Sequence, residues 1–325
     1  MSVEIPKETW TGQVREVTLG ATSEQGGTRK NTVTVGGEST MPFLTHEGKI
    51  PHTAIFPVEI QSSKPKDWSP LLEEAWGEAM NNPADWAQAA EEAGADMIYL
   101  ILSAEDEDGN QTTPEKAVEA VQSVLQNTSL PLAVIGPGQA DLDNELLVPA
   151  AEAAAGERLL LGNCEENNYR TIVAAALAHD HLVQSRTPMD VNLSKQLVIL
   201  IHDMGLPLER IMMDPTTGAL GYGIEYGFSV MERLRLAALT GDSMTQQPMI
   251  VTPGEEVWKV KEAKVGSGVP ENWGDWETRA LEWEAITAAT LIHSGADIVV
   301  IRHPQTLQRL KAMMADLSNS NQSEE

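Results

Sequence analysis

The sequence predicts an α/β fold, namely a (β/α)8 TIM barrel with an N-terminal β-hairpin extension. Eight short apolar runs alternate with longer amphipathic stretches from about residue 52 to residue 317. The runs are continuously apolar, as strands covered on both faces of a parallel sheet must be. Their total span is close to the ~250 residues that a barrel of this type usually takes.

The eight apolar runs define the predicted strands of the barrel. They are residues 53–60, 96–102, 130–135, 158–162, 181–185, 211–213, 248–252 and 297–302. The alternative is an open doubly wound sheet, which normally carries a glycine-rich turn after its first strand. Residues 61–70 contain no glycine, so the closed barrel is favoured.

Helix start signals precede several of the amphipathic stretches. Asn82 before Pro83, and Thr113 before Pro114, each combine a capping side chain with proline at the first helical position. These pairs predict two helices. The other helices are predicted at 144–154, 168–178, 190–204, 225–239, 277–293 and 305–317.

Three regions are predicted along the chain: an N-terminal extension over 1–42, the barrel over 43–317 and a tail over 318–325. In the extension, polar and apolar residues alternate over 14–20 and 31–36 around a glycine-rich turn. This pattern predicts a β-hairpin that plugs the N-terminal end of the barrel. The tail is polar throughout and is predicted to be disordered.

Composition excludes several classes of function. The formal net charge of −26 disfavours nucleic acid and anionic membrane surfaces as partners. No apolar run approaches the ~20 residues of a membrane helix, and the first residues lack a secretion signal, so the protein is expected to be cytoplasmic. The single cysteine, Cys164, cannot alone build an iron-sulfur cluster with four cysteine ligands or a cysteine-rich zinc site. No metal site is predicted.

The loop over 214–226 is the strongest functional candidate, because a barrel carries its chemistry at the C-terminal ends of its strands. It has thirteen residues, whereas strand-to-helix loops usually take about 2–6. Gly218 and the later glycines permit positive φ or close approach to a ligand. Asp214, Thr216 and Thr217 supply a carboxylate and hydroxyls. The alternative is an ordinary connection that needs glycine only to turn.

Asn163 and Asn167 follow the fourth strand and add amides to the same face. The face is poor in nucleophiles and in histidine bases, so no catalytic residue is predicted. Cys164 lies there too, but a catalytic cysteine needs a partner base and no histidine can be assigned to it. It is predicted to be a small buried thiol.

The tryptophans fall into two groups, within residues 10–86 and 258–283. The last strand of a closed barrel pairs with the first, so the loops after the first and seventh strands rise on the same rim. Tryptophan is enriched at interface hot spots. Five of these residues are therefore predicted to form a partner interface: Trp68, Trp76, Trp258, Trp273 and Trp276. The alternative is an internal lid over the barrel mouth.

Four segments together resemble the small subunit of the corrinoid/iron-sulfur protein, the counterpart of the delta subunit of the acetyl-CoA decarbonylase/synthase complex. They are residues 136–143, 163–169, 214–226 and 300–304. The resemblance extends over nearly the whole barrel. It implies a heterodimer with a larger subunit that holds a [4Fe-4S] cluster and most contacts to a shared cobamide.

The resemblance also implies a task in the reductive acetyl-CoA pathway. The cobamide accepts a methyl group from methyltetrahydrofolate through a separate methyltransferase and donates it to acetyl-CoA synthase; a reductive activator is a further implied partner. This chain would be a non-catalytic or co-catalytic subunit that helps enclose the cobamide. The implied contacts are Asp214, Thr216, Thr217, Gly218, Asn163 and Asn167.

One sequence feature agrees with a cobamide that takes no histidine from this chain. His202 and Gly205 match the His-x-x-Gly core of the base-off cobalamin motif, but Leu200 stands where that motif has aspartate. The match is therefore interpreted as accidental.

The rival interpretation of the whole chain is a stand-alone pterin-dependent methyltransferase barrel that binds the pterin with Asp214, Asn163 and Asn167.

Overall fold

Ten strands form two sheets in the computed structural model, which describes residues 5–106 and 108–322. Strands β1 (Val17–Leu19) and β2 (Val33–Val35) pair antiparallel. The other eight are parallel and neighbour one another in chain order. They are β3 (Val58–Gln61), β4 (Ile98–Ile101), β5 (Leu132–Ile135), β6 (Leu160–Cys164), β7 (Leu182–Arg186), β8 (Ile211–Asp214), β9 (Met249–Val251) and β10 (Ala296–Val299). Each corresponds to a predicted strand.

The parallel sheet closes because the chain around β10 pairs with the chain around β3. The Val299 amide donates to the Ile55 carbonyl oxygen at 2.9 Å, and the Ile301 amide donates to the Pro57 carbonyl oxygen at 3.0 Å. In return the Glu59 amide donates to the Ile301 carbonyl oxygen at 2.9 Å. These bonds complete the barrel, so the predicted fold class is confirmed.

Eleven α-helices accompany the strands in the described residues. They are α1 (Pro70–Trp76), α2 (Pro83–Glu92), α3 (Pro114–Asn127), α4 (Ala140–Ala153), α5 (Tyr169–His179), α6 (Val191–Asp203), α7 (Ile224–Leu239), α8 (Pro253–Val257), α9 (Lys261–Lys264), α10 (Trp276–His293) and α11 (Pro304–Gln322). The eight predicted helices are all present. The predicted caps also form: the Asn82 side chain accepts from the Ala84 amide, and Thr113 from the Lys116 amide.

The helices α1, α8 and α9 were missed by the sequence prediction. They have 7, 5 and 4 residues, so none is long enough to show a 3.6-residue period over several turns. All three lie in the connections after β3 and β9, which carry the tryptophans of the predicted interface. Those connections are therefore partly helical.

The N-terminal hairpin plugs the bottom of the barrel, as predicted. Val17, Leu19 and Val35 are buried in one cluster with the residues that face the barrel axis, such as Tyr99 of β4. Just ahead of β5, the Thr128 carbonyl oxygen accepts a 2.7 Å hydrogen bond from the Arg29 side chain. The hairpin and the lower barrel therefore share one continuous apolar core.

The last helix extends further than the sequence predicted. The backbone of α11 is helical as far as Gln322, although disorder was predicted from residue 318. Residues 318–322 contain neither proline nor glycine to end the helix, and residues 323–325 lie outside the described residues. Among the helices described, none combines the length and the apolar character that crossing a membrane requires.

Candidate functional site

The barrel interior changes from apolar to polar toward the C-terminal ends of the strands. Side chains alternate along a strand, so on β7 the residues Gln184 and Arg186 face the same side as Leu182, which belongs to the interior apolar cluster. Asp214 ends β8 in the neighbouring position. The upper barrel thus contains buried polar groups that need partners within the chain.

Asp214 is the centre of these groups and is 1% exposed. One carboxylate oxygen accepts from the Gln184 amide nitrogen at 2.7 Å, and the other accepts from the Thr216 backbone amide at 2.9 Å. The Arg186 guanidinium lies 3.8 Å away. Burial raises the pKa of the Asp214 carboxyl, and the positive charge of Arg186 opposes that rise.

Gln184 connects Asp214 to two further strands. Its carbonyl oxygen accepts a 3.1 Å hydrogen bond from the Tyr99 hydroxyl of β4. Its amide nitrogen also lies 3.3 Å from the side-chain oxygen of Asn163 on β6. Four strands therefore contribute one residue each to a buried network, which we call the Gln184 network: Tyr99, Asn163, Gln184 and Asp214.

The two threonines of the loop after β8 use their hydroxyls inside the chain. The Thr216 hydroxyl donates to the Thr187 carbonyl oxygen at 2.6 Å, just beyond β7. The Thr217 hydroxyl accepts from the Thr252 backbone amide at 2.8 Å, just beyond β9. Both hydroxyls were predicted to face a ligand. Here they tie the loop to its neighbours on both sides, which fixes its position over the barrel mouth.

The backbone geometry of this loop explains why it contains three glycines. A Cβ atom on Gly218 would lie 2.5 Å from the Gly223 carbonyl group, so the two arms of the loop approach too closely for a side chain. Gly221 and Gly223 have φ values of 77° and 95°, which favour glycine. Thr216 adopts φ 61° without being glycine. The loop therefore needs its glycines to fold back on itself.

An open cleft of about 700 Å³ adjoins this loop. Asn167 lines it from the segment after β6, Arg186 from the end of β7 and Thr216 from the loop itself. Leu193 and Leu197 of α6 form an apolar wall. Of the six predicted contact residues, Asn167 and Thr216 line the cleft; Asp214, Asn163, Thr217 and Gly218 are buried.

A second buried cluster lies where β10 meets β3. The Arg302 guanidinium donates to the Glu59 carboxylate at 2.6 Å, and Glu59 is fully buried. Burial raises the pKa of Glu59, while the positive charge of Arg302 opposes the rise. The Arg302 backbone amide donates to Glu284 of α10 at 2.7 Å. This cluster joins the first strand, the last strand and a helix.

The tryptophans divide into two sets. Trp68, Trp76 and Trp258 are only 8, 7 and 3% exposed, so their rings do not form the exposed surface that was predicted. Trp68 lies 4.5 Å from the Arg302 guanidinium and Trp76 donates to the Arg302 carbonyl oxygen. For these three, the internal lid is the arrangement that the structure shows. Large apolar rings bury against their own barrel because the short helices α1 and α8 fold over it.

The remaining two tryptophans, Trp273 and Trp276, are half-buried. The Trp276 indole donates to the Ala263 carbonyl oxygen at 2.7 Å, and the Arg279 guanidinium lies 5.4 Å from the Trp273 ring. Trp273 therefore lies in the segment between β9 and α10, and Trp276 is the first residue of α10. A partner interface at Trp273 and Trp276 stays a prediction.

Cys164 and His303 provide no reactive group at this face. Cys164 is fully buried, and burial raises the pKa of its thiol far above the usual range. His303 stacks on Trp258 at 5.9 Å and accepts from the Gln305 backbone amide. Burial lowers the pKa of its imidazole to about 4. The buried thiol was predicted correctly.

Sequence reasoning missed two members of the Gln184 network, Tyr99 and Gln184 itself. Each is a hydrogen-bonding residue in the middle of an apolar run, Met97–Leu102 for Tyr99 and Leu182–Ser185 for Gln184. A polar group in a strand that is buried on both faces requires a partner. A polar residue within an apolar run was therefore the sequence signal that could have identified Tyr99 and Gln184.

The fold is that of a TIM barrel, and its candidate site lies at the C-terminal ends of its strands. Among solved structures, it is similar to the dihydropteroate synthase of Thermus thermophilus, with a TM-score of 0.54 at 13% identity over 85% of this chain and 99% of that one. The Coxiella burnetii dihydropteroate synthase in complex with pteroic acid gives 0.55 at 12% identity, over 83% and 95%. At such identities the likeness shows the fold alone.

Sequence relatives identify the family. Residues 16–318 match the family described as CO dehydrogenase/acetyl-CoA synthase delta subunit. The delta subunit of the acetyl-CoA decarbonylase/synthase complex of Archaeoglobus fulgidus is 37% identical over 96% of this chain and 70% of its own length. The one from Methanosarcina mazei is 38% identical over 95% and 71%. The chain belongs to this delta-subunit family.

Membership confirms the resemblance to the corrinoid/iron-sulfur protein small subunit that the four sequence segments indicated. It does not favour the rival interpretation, a stand-alone pterin-dependent methyltransferase.

Proposed function

We propose that this chain, as the small subunit of the corrinoid/iron-sulfur methyl carrier, covers one side of a cobamide that a larger subunit holds. The observation that carries the proposal is the open cleft beside the 214–226 loop. The loop that borders the cleft is already tied down by Thr216 and Thr217. The face is therefore a prearranged wall that needs a second component to complete a site.

The residues present fit one side of a cobamide. A corrin ring is apolar on its faces and carries carboxamide arms at its edge, and the cleft combines the apolar Leu193 and Leu197 with the polar Asn167, Gln196 and Arg186. The cleft is open to solvent on one side, which leaves the other side of the group for the larger subunit. Asn167 and Arg186 would bind the arms, and the leucines would exclude water from the ring.

When bound, the cobamide supplies a cobalt centre that accepts and donates a methyl group. The task left to this chain is to orient the ring edge and to keep water away. Asp214 and Asn163 support that task from beneath, because they hold Thr216 and Gln184 in place. No histidine of the described residues lines the cleft.

The proposal assigns the [4Fe-4S] cluster to the larger subunit. Four thiolates are the usual ligands of such a cluster, and the 325-residue sequence has one cysteine. Further proposed partners are the methyltetrahydrofolate methyltransferase, acetyl-CoA synthase and a reductive activator. Their proposed contacts are Trp273, which lies ahead of α10, and Trp276, which begins α10.

A matched pair of leucine substitutions tests the proposal. Leu193 lines the cleft and is 40% exposed, whereas Leu177 lies elsewhere, on α5, and is 38% exposed. Leu193→Asp should lower the cobalt that co-purifies with the heterodimer by about tenfold, because it places a charge against an apolar ring. Leu177→Asp should leave the cobalt content unchanged. Equal cobalt contents in the two variants would refute the assignment of the cleft.

A further inference from the structure

The Asn163 side chain is an incompletely paired polar group at the centre of the face. It is 5% exposed, and its oxygen faces the Gln184 amide nitrogen at 3.3 Å. No acceptor for its own amide nitrogen is found in the part of the chain that the structure describes. This nitrogen is not among the fully buried side-chain atoms that lack a partner, so it keeps some contact with solvent and is free to donate to a ligand.

The orientation of Asn163 follows from its neighbours. The Asp214 carboxylate accepts from Gln184 at 2.7 Å, which requires the Gln184 nitrogen, and not its oxygen, to point toward Asp214. The Gln184 oxygen then points toward Tyr99, whose hydroxyl donates to it at 3.1 Å.

Reversing the Asn163 amide would place its nitrogen against the nitrogen of Gln184. The hydrogen bonds from Tyr99 to Gln184 and from Gln184 to Asn163 therefore leave the Asn163 amide nitrogen available to bind a ligand.

We propose that Tyr99 and Gln184 are positioning residues that make Asn163 a hydrogen-bond donor, and that Asn163 binds a carbonyl oxygen of the ligand. The ligand half of this inference rests on the proposed function, in which the carbonyl belongs to a carboxamide arm of the cobamide. The positioning half concerns only residues of this chain. It can be tested without any ligand.

The first experiment follows the side-chain amide signals of Asn163 and Gln184 by NMR in the full-length chain. Tyr99→Phe removes the donor to the Gln184 oxygen, so both amide signals should shift. Gln184→Glu offers an acceptor to the Asn163 nitrogen, so the Asn163 amide should turn over and its signals should move as well. Tyr169→Phe is the control, because Tyr169 is another buried tyrosine outside the Gln184 network.

The second experiment measures retention of dicyanocobinamide, a corrinoid with carboxamide arms, by the heterodimer with the larger subunit. Tyr99→Phe and Gln184→Glu should each weaken retention about tenfold, the effect of one misdirected hydrogen bond. Tyr169→Phe should not change it. Unchanged retention in both variants would refute the role of Asn163 as the donor.

The two experiments separate failure of this inference from failure of the proposed function. A wild-type heterodimer that retains no corrinoid would refute the proposed function and the ligand half together. Amide signals that stay in place in both variants, while the wild type retains the corrinoid, would refute the positioning role of Tyr99 and Gln184 alone.

Discussion

Glu59 illustrates how one residue can join distant parts of the chain. Its carboxylate, fully buried on the first barrel strand, binds Arg302 beyond the last strand at 2.6 Å. A buried ion pair is costly to form, but removing one charge is worse because the other stays buried without compensation. The pair therefore penalises any arrangement in which the barrel is open.

Glu59→Gln is expected to lower the free energy of unfolding by about 3–5 kcal/mol. The change keeps the size of the side chain and removes the carboxylate that binds the buried Arg302 guanidinium. The measurement is urea unfolding followed by circular dichroism. Glu282→Gln is the control, since the Glu282–Arg309 pair is half exposed and should contribute less than about 1 kcal/mol. Similar losses in both variants would contradict the assigned role.

At the scale of elements, the N-terminal extension is joined to the barrel by a buried charge cluster. Arg235 of α7 contacts Glu38 of the extension at 3.4 Å and Asp297 of β10 at 2.8 Å. Two acidic side chains thus share one guanidinium. Burial, followed by the nearby charge of Asp297, raises the pKa of Glu38 to about 8.

This cluster predicts a dependence of stability on pH. The folded state holds a proton on Glu38 up to about pH 8, whereas the unfolded state releases it near the ordinary value of 4.5. The contribution of Glu38 to the free energy of unfolding is therefore fully present below about pH 4.5 and is lost as pH rises to about 8. Glu38→Gln should remove this part of the slope when unfolding free energies are compared at pH 5, 6.5 and 8. A variant with the same slope as the wild type would exclude Glu38 as its source.

The elements also show what the sequence could predict. Strands such as β4 and β7 are buried on both faces, so continuous apolarity was enough to find them. The helices α1, α8 and α9 were missed because their formation depends on packing over the barrel mouth. For the same reason the sequence did not decide between a partner interface and an internal lid for Trp68, Trp76 and Trp258.

The candidate site was predictable only in part. Asp214 and the glycines of its loop stand out in the sequence, and their place after β8 follows from strand order. The Gln184 network could not be predicted, because its members come from four strands and meet only when the barrel closes. The hydrogen bonds of the Thr216 and Thr217 hydroxyls could not be predicted either, because their partners Thr187 and Thr252 are distant in sequence.

For the whole molecule, the dominant electrostatic quantity is the net charge of −26. Such a charge destabilises the compact state through self-repulsion, and salt screens it over about 10 Å at 0.1 M. The melting temperature should therefore rise by several degrees between 10 mM and 300 mM sodium chloride. A differential scanning calorimetry series at constant pH measures this, and a melting temperature that falls with salt would show that local ion pairs outweigh the repulsion.

The tethered loop over the barrel mouth has a consequence for the timing of binding. Thr216 and Thr217 fix the loop to both neighbouring strands, so its conformational entropy is lost when the chain folds and not when a ligand arrives. A ligand meets a surface that is already ordered, and little further ordering of this chain reduces its affinity. Under the proposed function, opening and closing around the cobamide is therefore left to the larger subunit.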